Sequence, residues 1–516
     1  MQPTSSLRTL WRLYTLGWRF PTVFILMLVG MFGMGALNAG FTWFMYPVLK
    51  ALGPTMGGDA MAQLDVGQIA DLRQDMVRLG WIALALTIPS GVIAGGTWWV
   101  SQWLAQLSMQ SLRESFFGHY LRLEMDFHAR ASKGDMISRM SADAESTTMI
   151  LTGIYGKLQQ RPVEAVGMMV TLAWIDWRLF LGLFGVLLPV LAILLRLFKK
   201  TKKRADRARV VNADTLTAFE QAASGIRVIK SLGAEERETA RYHGQTEALR
   251  RSEMRTVKSR AIADTVSYGL IFLLPAVIMA MGVWMLDSRS IEPEKLIVFA
   301  GAIGRMTTLT RTTQRAWTDI LSRLPAVERF FQIVDQPRSI VDRPGATPAV
   351  QPRRGFDLEA VRFRYGPESQ EVLRGIDLHI PVNQTVALVG ESGAGKSTMM
   401  DLLPRFYDVT GGRILLDGVD LRDLQHDSLV QLFSIVQQDS FLFNDTIYNN
   451  IRFGRPDADS AMIENAARRA HVHEAILGLE GGLGYDTPVG DRGERLSGGQ
   501  RQRVAIARAL LRDAPV

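Results

Sequence analysis

The chain has 516 residues, no cysteine and a formal net charge of +8 at pH 7, and 47% of its residues are hydrophobic. This length exceeds that of one ordinary domain, and the lack of cysteine excludes disulfide frameworks and thiolate metal sites. The hydrophobic residues are unevenly distributed, because long apolar stretches precede about residue 320 and a charged pattern follows about residue 356. The two parts therefore need separate interpretations.

Six apolar stretches of the first part approach or exceed the length of about twenty residues that a helix needs to cross a bilayer core. The first is too long for the apolar region of a secretory signal, and five more follow it. Only Asp176, Trp177 and Arg178 separate the third stretch from the fourth, which predicts a tight helical hairpin. The predicted spans are 21–49, 79–105, 155–175, 178–198, 262–286 and 294–316.

The distribution of charge predicts the orientation of these spans. Basic residues leave the fourth span together, and their excess continues to Arg260, which places that loop in the cytoplasm. The loop 50–77 carries acidic residues and is expected to face outward. An even number of spans then places the N-terminus and the C-terminal part in the cytoplasm. The positive charge is thereby explained without a nucleic-acid partner. The basic residues are Lys199, Lys200, Lys202, Lys203, Arg204, Arg207 and Arg209, and the acidic ones are Asp59, Asp65, Asp71 and Asp75.

Two cytoplasmic excursions, 106–154 and 199–261, are rich in residues that favour helices. Each contains a compact polar turn, at 134–143 in the first and at 220–230 in the second. On these residues alone, both turns are interpreted as the tips of helix-loop-helix extensions.

The second part contains a phosphate-binding pattern at 390–397, in which four residues separate Gly390 from Gly395, and Lys396 and Ser397 follow. In this pattern backbone N–H groups surround the phosphates of ATP, the lysine reaches the β and γ oxygens, and the serine hydroxyl binds Mg²⁺. The apolar run 385–389 predicts a buried parallel strand before the loop, and 397–403 predicts a helix after it. The candidate nucleotide-binding residues are Gly390, Glu391, Ser392, Gly393, Ala394, Gly395, Lys396, Ser397 and Thr398.

A second motif, Leu-Ser-Gly-Gly-Gln, occupies residues 496–500. Together with the phosphate loop and the six spans, it resembles the ATP-binding cassette (ABC) superfamily, specifically bacterial half-transporter exporters of the lipid A and multidrug type. The resemblance implies a multidomain fold. An all-α transmembrane domain with long cytosolic extensions (1–335) is followed by a linker (336–355) and an α/β P-loop ATPase domain (356–516). It also assigns Ser497, Gly498, Gly499 and Gln500 to the γ-phosphate of ATP held by a partner chain.

The resemblance assigns further roles residue by residue. Tyr365 resembles the aromatic residue that stacks on adenine. Gln438 resembles the glutamine that joins the Mg²⁺ shell and senses the γ-phosphate, with Gln437 as the alternative. Lys396 and Gln438 are then the catalytic candidates, and Ser397 and Gln438 the metal ligands. The two polar turns resemble coupling helices that transmit motion from the ATPase domains.

The function implied by the resemblance is ATP-dependent export or flipping of an amphipathic substrate, a lipid of the lipid A type or a drug. The transporter would be a dimer, most simply a homodimer, which alternates access across the bacterial inner membrane. Two alternatives stay open at this point. One is a non-catalytic or remnant subunit that supplies its signature motif to a different partner, and the other is a nucleotide-gated channel or structural membrane protein.

The family pattern continues, after the residues that end at Val516, with a strand carrying an aspartate and the catalytic glutamate, then a D-loop and a switch histidine. From their absence we expect that this polypeptide binds ATP weakly, hydrolyses none and is poorly folded past residue 356. An incomplete sequence of a functional gene is the preferred explanation, with a natural remnant as the alternative.

The sixth span carries polar residues on one side. On a helix, Arg305, Thr308, Arg311, Thr312 and Arg315 fall within one arc. An arginine at mid-bilayer costs roughly 2.5–3.5 kcal/mol, so these residues are expected to face a wet cavity or a partner chain rather than lipid. One hypothesis is recognition of an anionic, lipid-like headgroup. The other is that the span is misplaced and the arginines belong to its cytosolic extension.

Overall fold

The structure is a computed structural model that describes residues 3–52, 66–287, 292–479 and 481–516. It contains two compact units. The first comprises Met1–Phe116 and Ile137–Gln332, and the second comprises Phe117–Met136 and Ile333–Val516. The segment 117–136, from the first predicted cytoplasmic excursion, is therefore part of the same unit as the predicted ATPase domain.

All the regular elements that the structure describes up to residue 334 are helices. Pro21–Lys50 and Arg73–Leu121 have the length and mean hydropathy, 1.9 and 1.6, to cross a membrane. Every predicted span lies in a helix, the third including a π-helical stretch at Gly153–Leu158, while the count of six membrane crossings stays a prediction. The helices are α1 (Pro3–Leu16), α2 (Pro21–Leu52), α3 (Val66–Leu121), α4 (Met125–Arg130), α5 (Lys133–Ser138), α6 (Ala144–Thr152), α7 (Gln159–Ile175), α8 (Trp177–Ser224), α9 (Ile226–Ser231), α10 (Glu235–Asp287) and α11 (Pro293–Val334).

The tight hairpin between the third and fourth spans is confirmed. Helix α7 ends at Ile175, and Asp176 caps α8 by accepting hydrogen bonds from the backbone N–H groups of Arg178 (2.9 Å) and Leu179 (3.3 Å). A side-chain cap of this kind satisfies donors that the first turn of a helix cannot pair internally. Asp59 and Asp65, predicted to face outward, lie outside the described residues.

The polar turn at 220–230 is a break in the helices, as predicted. Helix α8 ends at Ser224, Gly225 follows, and the short helix α9 leads to α10. The prediction of a loop at 134–143 is wrong, because this stretch continues from α5 into π-helical turns at Arg139–Asp143. The bends lie earlier, at 122–124 and 131–132. Gly134 is accommodated in the first turn of α5, where the backbone N–H groups have no helical partner.

The second unit contains a four-stranded antiparallel sheet of β1 (Gly355–Phe363), β2 (Leu373–Pro381), β3 (Gly411–Leu416) and β4 (Val419–Asp420), in the order β2-β1-β3-β4. Helix α12 (Lys396–Leu402) follows the phosphate loop, close to the predicted helix 397–403. The buried side chains of β1 and β3 pack with those of α12 in one apolar cluster, the sheet cluster. Its members include Phe356, Leu358, Ile414, Leu416, Met399 and Leu402.

A second apolar cluster, the helical cluster, is formed by the later helices. Helix α13 (His426–Gln431) contributes Leu429 to the sheet cluster, whereas the helical cluster comes from α14 (Ile447–Arg452), α15 (Ser460–Arg469), α16 (His473–Leu477) and α17 (Gly498–Arg512). Ile447, Ile451, Ile463 and Val504 are fully buried within it. Both clusters are closely packed, and the expectation of poor folding past residue 356, which concerns stability, stays a prediction.

The prediction that 385–389 forms a buried parallel strand is also wrong. The stretch has no regular secondary structure, and Val386 and Val389 are 41% and 89% exposed. A strand requires a neighbour that pairs with its backbone N–H and C=O groups. Among the strands that the structure describes, all pairings are antiparallel and none involves this stretch.

Candidate nucleotide-binding site

The phosphate loop depends on glycines with positive φ angles. Gly390, Gly393 and Gly395 have φ angles of 157°, 84° and 88°. At Gly395 a Cβ atom would also lie 2.7 Å from the side chain of Leu373. Only glycine fits there without strain, since it has no Cβ and populates φ > 0 readily. The loop therefore turns sharply into α12 and brings its backbone close to the site that a phosphate would occupy.

Lys396 lies folded over this loop. Its Nζ donates hydrogen bonds to the carbonyl oxygens of Gly390 (2.9 Å) and Glu391 (2.7 Å). These bonds hold an ammonium group above the loop backbone, where phosphate oxygens could become its partners instead. The neighbouring Ser397 is exposed, so its hydroxyl is accessible to a metal ion.

Tyr365 lies beside the same helix. Its hydroxyl shares a hydrogen bond of 2.8 Å with the hydroxyl of Thr398, and Thr398 itself is buried. The Tyr365 ring contacts Phe363 and Tyr407 edge to face, with centroid distances of 4.9 and 5.4 Å. Burial raises the pKa of Tyr407 to about 12, so this supporting phenol stays neutral. Tyr365 remains 39% exposed, which leaves ring surface available for a base.

Segment 117–136 also contacts Tyr365, which the sequence did not reveal. Nη2 of Arg130 donates a hydrogen bond of 2.7 Å to the carbonyl of Tyr365, and Arg130 also forms an ion pair with Asp126 at 2.9 Å. The same segment contacts the linker, where Glu124 accepts a hydrogen bond of 3.1 Å from the Ser339 backbone. No local pattern marks these residues, because the contacts join parts of the chain that are distant in sequence.

Gln438 and the alternative Gln437 both lie on an exposed segment without regular secondary structure, 434–440. Among the described residues, no hydrogen bond joins Gln438 to the phosphate loop. The metal role of Gln438 therefore stays a prediction. Among the described residues there is no group of three or more His, Cys, Asp or Glu that could hold a metal ion. The oxygen donors of Ser397 and Gln438 suit Mg²⁺, which usually retains waters and substrate phosphates as its other ligands.

The signature motif begins helix α17. The Ser497 hydroxyl accepts from the Gln500 backbone N–H (3.2 Å), and Gln500 Oε1 accepts from the Ser497 backbone N–H (2.8 Å). This reciprocal pair is a capping box, which fixes the start of the helix. Gly498 and Gly499 are exposed beside it, so their backbone is accessible to an anion. Leu496 of the motif is part of the helical cluster, whereas Met399, on the helix that follows the phosphate loop, is part of the sheet cluster.

The arginines of the predicted sixth span lie on α11. Nη2 of Arg305 donates a hydrogen bond to Asn38 Oδ1 on α2. The guanidinium of Arg311 lies 3.8 Å from the centre of the Tyr268 ring, and its buried Nη2 has no hydrogen-bond partner among the described residues. Arg305 is exposed and Arg311 half-buried in this chain. A buried donor without a partner is unfavourable unless another group pairs with it.

Two sequence families match the chain. The ABC transporter transmembrane region matches residues 24–308, and the ABC transporter ATPase family matches residues 373–516. An ATP-dependent lipid A-core flippase of Chromohalobacter salexigens is 37% identical over 82% of this chain and 72% of its own length. The flippase of the same name from Escherichia coli K12 is 31% identical over 93% of this chain and 80% of its own length.

Two further comparisons agree with these matches. A Bacillus subtilis protein named for multidrug export is 33% identical over 81% of this chain and 71% of its own length. The solved structure of a bacterial Atm1-family ABC exporter with ATP bound matches with a TM-score of 0.76 and 26% identity. That match covers 96% of this chain and 84% of the exporter chain.

Proposed function

The chain belongs to the ABC transporter family, with a helical membrane region followed by an ABC ATPase region, and from this premise we propose that it is an ATP-driven exporter of a lipid-like amphipathic substrate. The observation that carries the proposal is the joint presence of the phosphate loop, the exposed signature motif and two helices of membrane-spanning length. The flippase relatives favour a lipid of the lipid A type over a drug.

ATP would bind with its phosphates on the loop at 390–398 and its base against Tyr365. Lys396 would exchange its bonds to the Gly390 and Glu391 carbonyls for bonds to the β and γ oxygens. Ser397 and Gln438 would hold Mg²⁺, which supplies charge neutralisation to the phosphates. Positioning and charge stabilisation account for most of the catalysis of phosphoryl transfer.

The site is proposed to be completed by a second chain. The capped N-terminus of α17 presents Ser497, Gly498 and Gly499 outward, which suits the γ-phosphate held by a partner's phosphate loop. ATP would then hold two ATPase regions together, by binding the associated state in preference to the separated one. A homodimer is the simplest assembly of this kind. Motion of the ATPase regions would reach the membrane helices through 117–136 and the turn at Gly225.

The substrate proposal rests on α11. Nη2 of Arg311 is a buried donor that has no hydrogen-bond partner among the described residues, and the guanidinium of Arg305 donates a hydrogen bond to Asn38. Arginine guanidinium groups bind phosphate oxygens in a bidentate manner. We assign these two residues to an anionic headgroup. The proposal takes α11 to cross the bacterial inner membrane rather than to form a cytosolic extension, and it takes the N-terminus and the ATPase region to lie in the cytoplasm.

The test is lipid movement in inverted membrane vesicles from cells that produce the chain, with cells that produce Lys396→Ala as the matched control. A fluorescent phosphorylated lipid is expected to move across the membrane only when ATP is supplied and only with the unmodified chain. Movement without ATP would indicate a channel and contradict the proposal. If a second, different half-transporter co-purifies with the chain, this result favours the hypothesis of a non-catalytic subunit and contradicts the homodimer proposal.

A further inference from the structure

Arg508 lies in the second half of α17 and donates three hydrogen bonds from a half-buried guanidinium. Nε donates to the Asn450 carbonyl (2.9 Å), Nη2 to Asn450 Oδ1 (3.0 Å) and Nη1 to the Phe441 carbonyl (3.1 Å). The guanidinium also lies 5.9 Å from the ring centres of Phe443 and Phe453, within the range of a cation–π interaction. One side chain therefore connects α17, the signature helix that begins with the Leu-Ser-Gly-Gly-Gln motif, to several points between residues 441 and 453.

Asn450 is the other half of this connection. It is 1% exposed, and its Oδ1 accepts from the Phe443 backbone N–H at 2.9 Å as well as from Arg508. Its Nδ2 donates to the carbonyls of Phe443 (2.9 Å) and Thr446 (3.0 Å). Both donors and both acceptor positions of the amide are thus used. Because the buried partners would be left unpaired without it, the amide fixes the backbone at Phe443 firmly.

The backbones of this region are also in close contact. A Cβ atom on Gly454 would lie 2.2 Å from the carbonyl oxygen of Arg508, so the chain after α14 packs directly on α17. No side chain fits between the two, and the contact leaves little room for one to slide past the other. The stretch 441–454 and the second half of α17 therefore form one tightly packed body.

Segment 435–440 contains Gln438. Arg508 holds the residue after its downstream end, Phe441, and the residues before its upstream end are attached to α17 as well. The Ser434 hydroxyl donates to the Ala509 carbonyl (3.1 Å), and Nη2 of Arg512 donates to the Val430 carbonyl (3.0 Å). Both ends of the segment are therefore fastened to the same part of the helix that begins with the signature motif.

We propose that Arg508 is a positioning residue for phosphate sensing, which fastens the downstream end of segment 435–440 to the signature helix. A displacement of Gln438 by the γ-phosphate is then transmitted along α17 to Ser497 and the signature glycines. Arg508 does not itself contact ATP, and it acts through Asn450 and the backbone at Phe441. The inference rests on the proposed function, because it takes Gln438 as the residue that senses the γ-phosphate.

Because the chain contains no cysteine, spin labels attach only to cysteines that are introduced, and the distance between two labels can be measured directly. Asp439→Cys and Gln502→Cys place one spin label beside Gln438 and the other on α17, at two exposed positions. The distance between the labels is measured by pulsed electron paramagnetic resonance on the full chain in lipid nanodiscs. It is compared among the otherwise unmodified chain, Arg508→Ala, Arg508→Lys and the control Arg468→Ala. Arg468 is an exposed arginine on α15, where it pairs with Glu464 of the same helix at 3.7 Å.

A single narrow distance distribution is expected for the unmodified chain and for Arg468→Ala, and a clearly broader one for both Arg508 variants. Lysine keeps the charge but cannot form the forked set of hydrogen bonds, so Arg508→Lys tests the geometry in a chain that keeps its net charge. A narrow distribution in Arg508→Lys, at the distance found in the unmodified chain, would overturn the proposal. If Arg508→Ala fails to fold, the result for Arg508→Lys decides the test.

Nucleotide preference supplies a second readout. The ratio of the affinities for Mg²⁺-ATP and Mg²⁺-ADP is expected to fall roughly three- to tenfold in Arg508→Lys, a typical effect of changing a coupling contact. The affinity for ADP is expected to stay the same, because the phosphate loop and Tyr365 are untouched. An unchanged ratio contradicts the role of Arg508. Absence of ATP binding in the unmodified chain would instead refute the proposed function.

Discussion

The hydroxyl groups of Tyr365 and Thr398 are 2.8 Å apart, so the residue proposed to stack on adenine is bonded to the helix that follows the phosphate loop. The base site and the phosphate site are thereby held in a fixed relation. Tyr407, against which Tyr365 packs edge to face, supports the ring from behind. A nucleotide that bridges both sites would therefore meet a preorganised surface, which reduces the ordering that binding requires.

Substitution of Tyr365 separates the two contributions of this residue. Tyr365→Phe keeps the ring and removes the hydrogen bond to Thr398, and we expect ATP affinity to fall only about threefold, as for loss of one hydrogen bond between neutral groups. Tyr365→Ala removes the stacking surface as well and is expected to weaken binding by a further factor of about ten. Fluorescent ATP titration of the full chain measures both. Equal affinities of the alanine and phenylalanine variants would show that the ring does not contact the base.

Gly395→Ala tests the shape of the phosphate loop. Gly395 has φ 88°, and an added Cβ would lie 2.7 Å from Leu373, so alanine is strained in conformation and in contact. We expect ATP binding to be lost at concentrations that saturate the unmodified chain. The matched control is Gly345→Ala, since Gly345 also has φ 88° but no atom lies within 4 Å of its added Cβ. If both variants bind ATP alike, the loop at Gly395 is not the phosphate site.

Asp417 gives the sheet a pH-dependent contact. Its carboxylate accepts hydrogen bonds from the backbone N–H groups of Arg353 (2.7 Å), Arg354 (2.7 Å) and Gly355 (2.9 Å). Burial raises the pKa of this carboxyl, but the three backbone N–H bonds and the nearby Arg353 charge outweigh it, so the net shift is downward. Since the folded pKa is the lower one, the stabilisation is present above the unfolded pKa of about 3.9 and is lost as the pH falls through the folded pKa.

Asp417→Asn is therefore expected to lower local stability at pH 7 by about 1 kcal/mol, and to have little effect below the folded pKa. Asparagine tolerates the positive φ of 51° at this position and keeps one acceptor oxygen. Amide hydrogen exchange at 353–355 is compared at each pH between the unmodified chain and Asp417→Asn, and it measures the difference in local stability. A difference that stays constant as the pH falls would show that the carboxylate charge is not responsible.

Arg311→Gln tests the assignment of the headgroup site. Loss of a charge-assisted bond to a phosphate is expected to weaken binding of a phosphorylated lipid about tenfold or more. Arg305→Gln is expected to act in the same direction. Arg323→Gln, on the same helix but outside the proposed site, serves as the control. Lipid affinity is measured by fluorescence titration in nanodiscs, and unchanged affinity in the two substituted chains would remove the headgroup proposal.

The sequence predicted those features that local patterns determine. The hairpin at Asp176 follows from two apolar runs separated by a capping residue, and α12 follows from the phosphate-loop pattern. The strand at 385–389 was predicted wrongly, because an apolar run becomes a strand only where a neighbour pairs with it. Composition reveals hydrophobicity, but it does not reveal pairing.

The contacts of Arg130 and Arg508 were missed for a related reason. Arg130 reaches the Tyr365 carbonyl across a large separation in sequence, and no spacing rule indicates such a contact. Arg508 had a signal that could have been used. It lies on the same side of α17 as Val504 and Leu511, which are buried, and a charged residue within an apolar stripe requires partners.

The most direct test of the account is the effect of ATP on lipid affinity in the purified full chain. The affinity for a fluorescent phosphorylated glycolipid is measured in nanodiscs with and without a non-hydrolysable ATP analogue and Mg²⁺, in the unmodified chain and in Lys396→Ala. An ATP-coupled exporter must show a change in lipid affinity when nucleotide binds, and the change must disappear in Lys396→Ala. We predict that result. Identical lipid affinity with and without the nucleotide would contradict the account, because lipid and ATP would then bind independently.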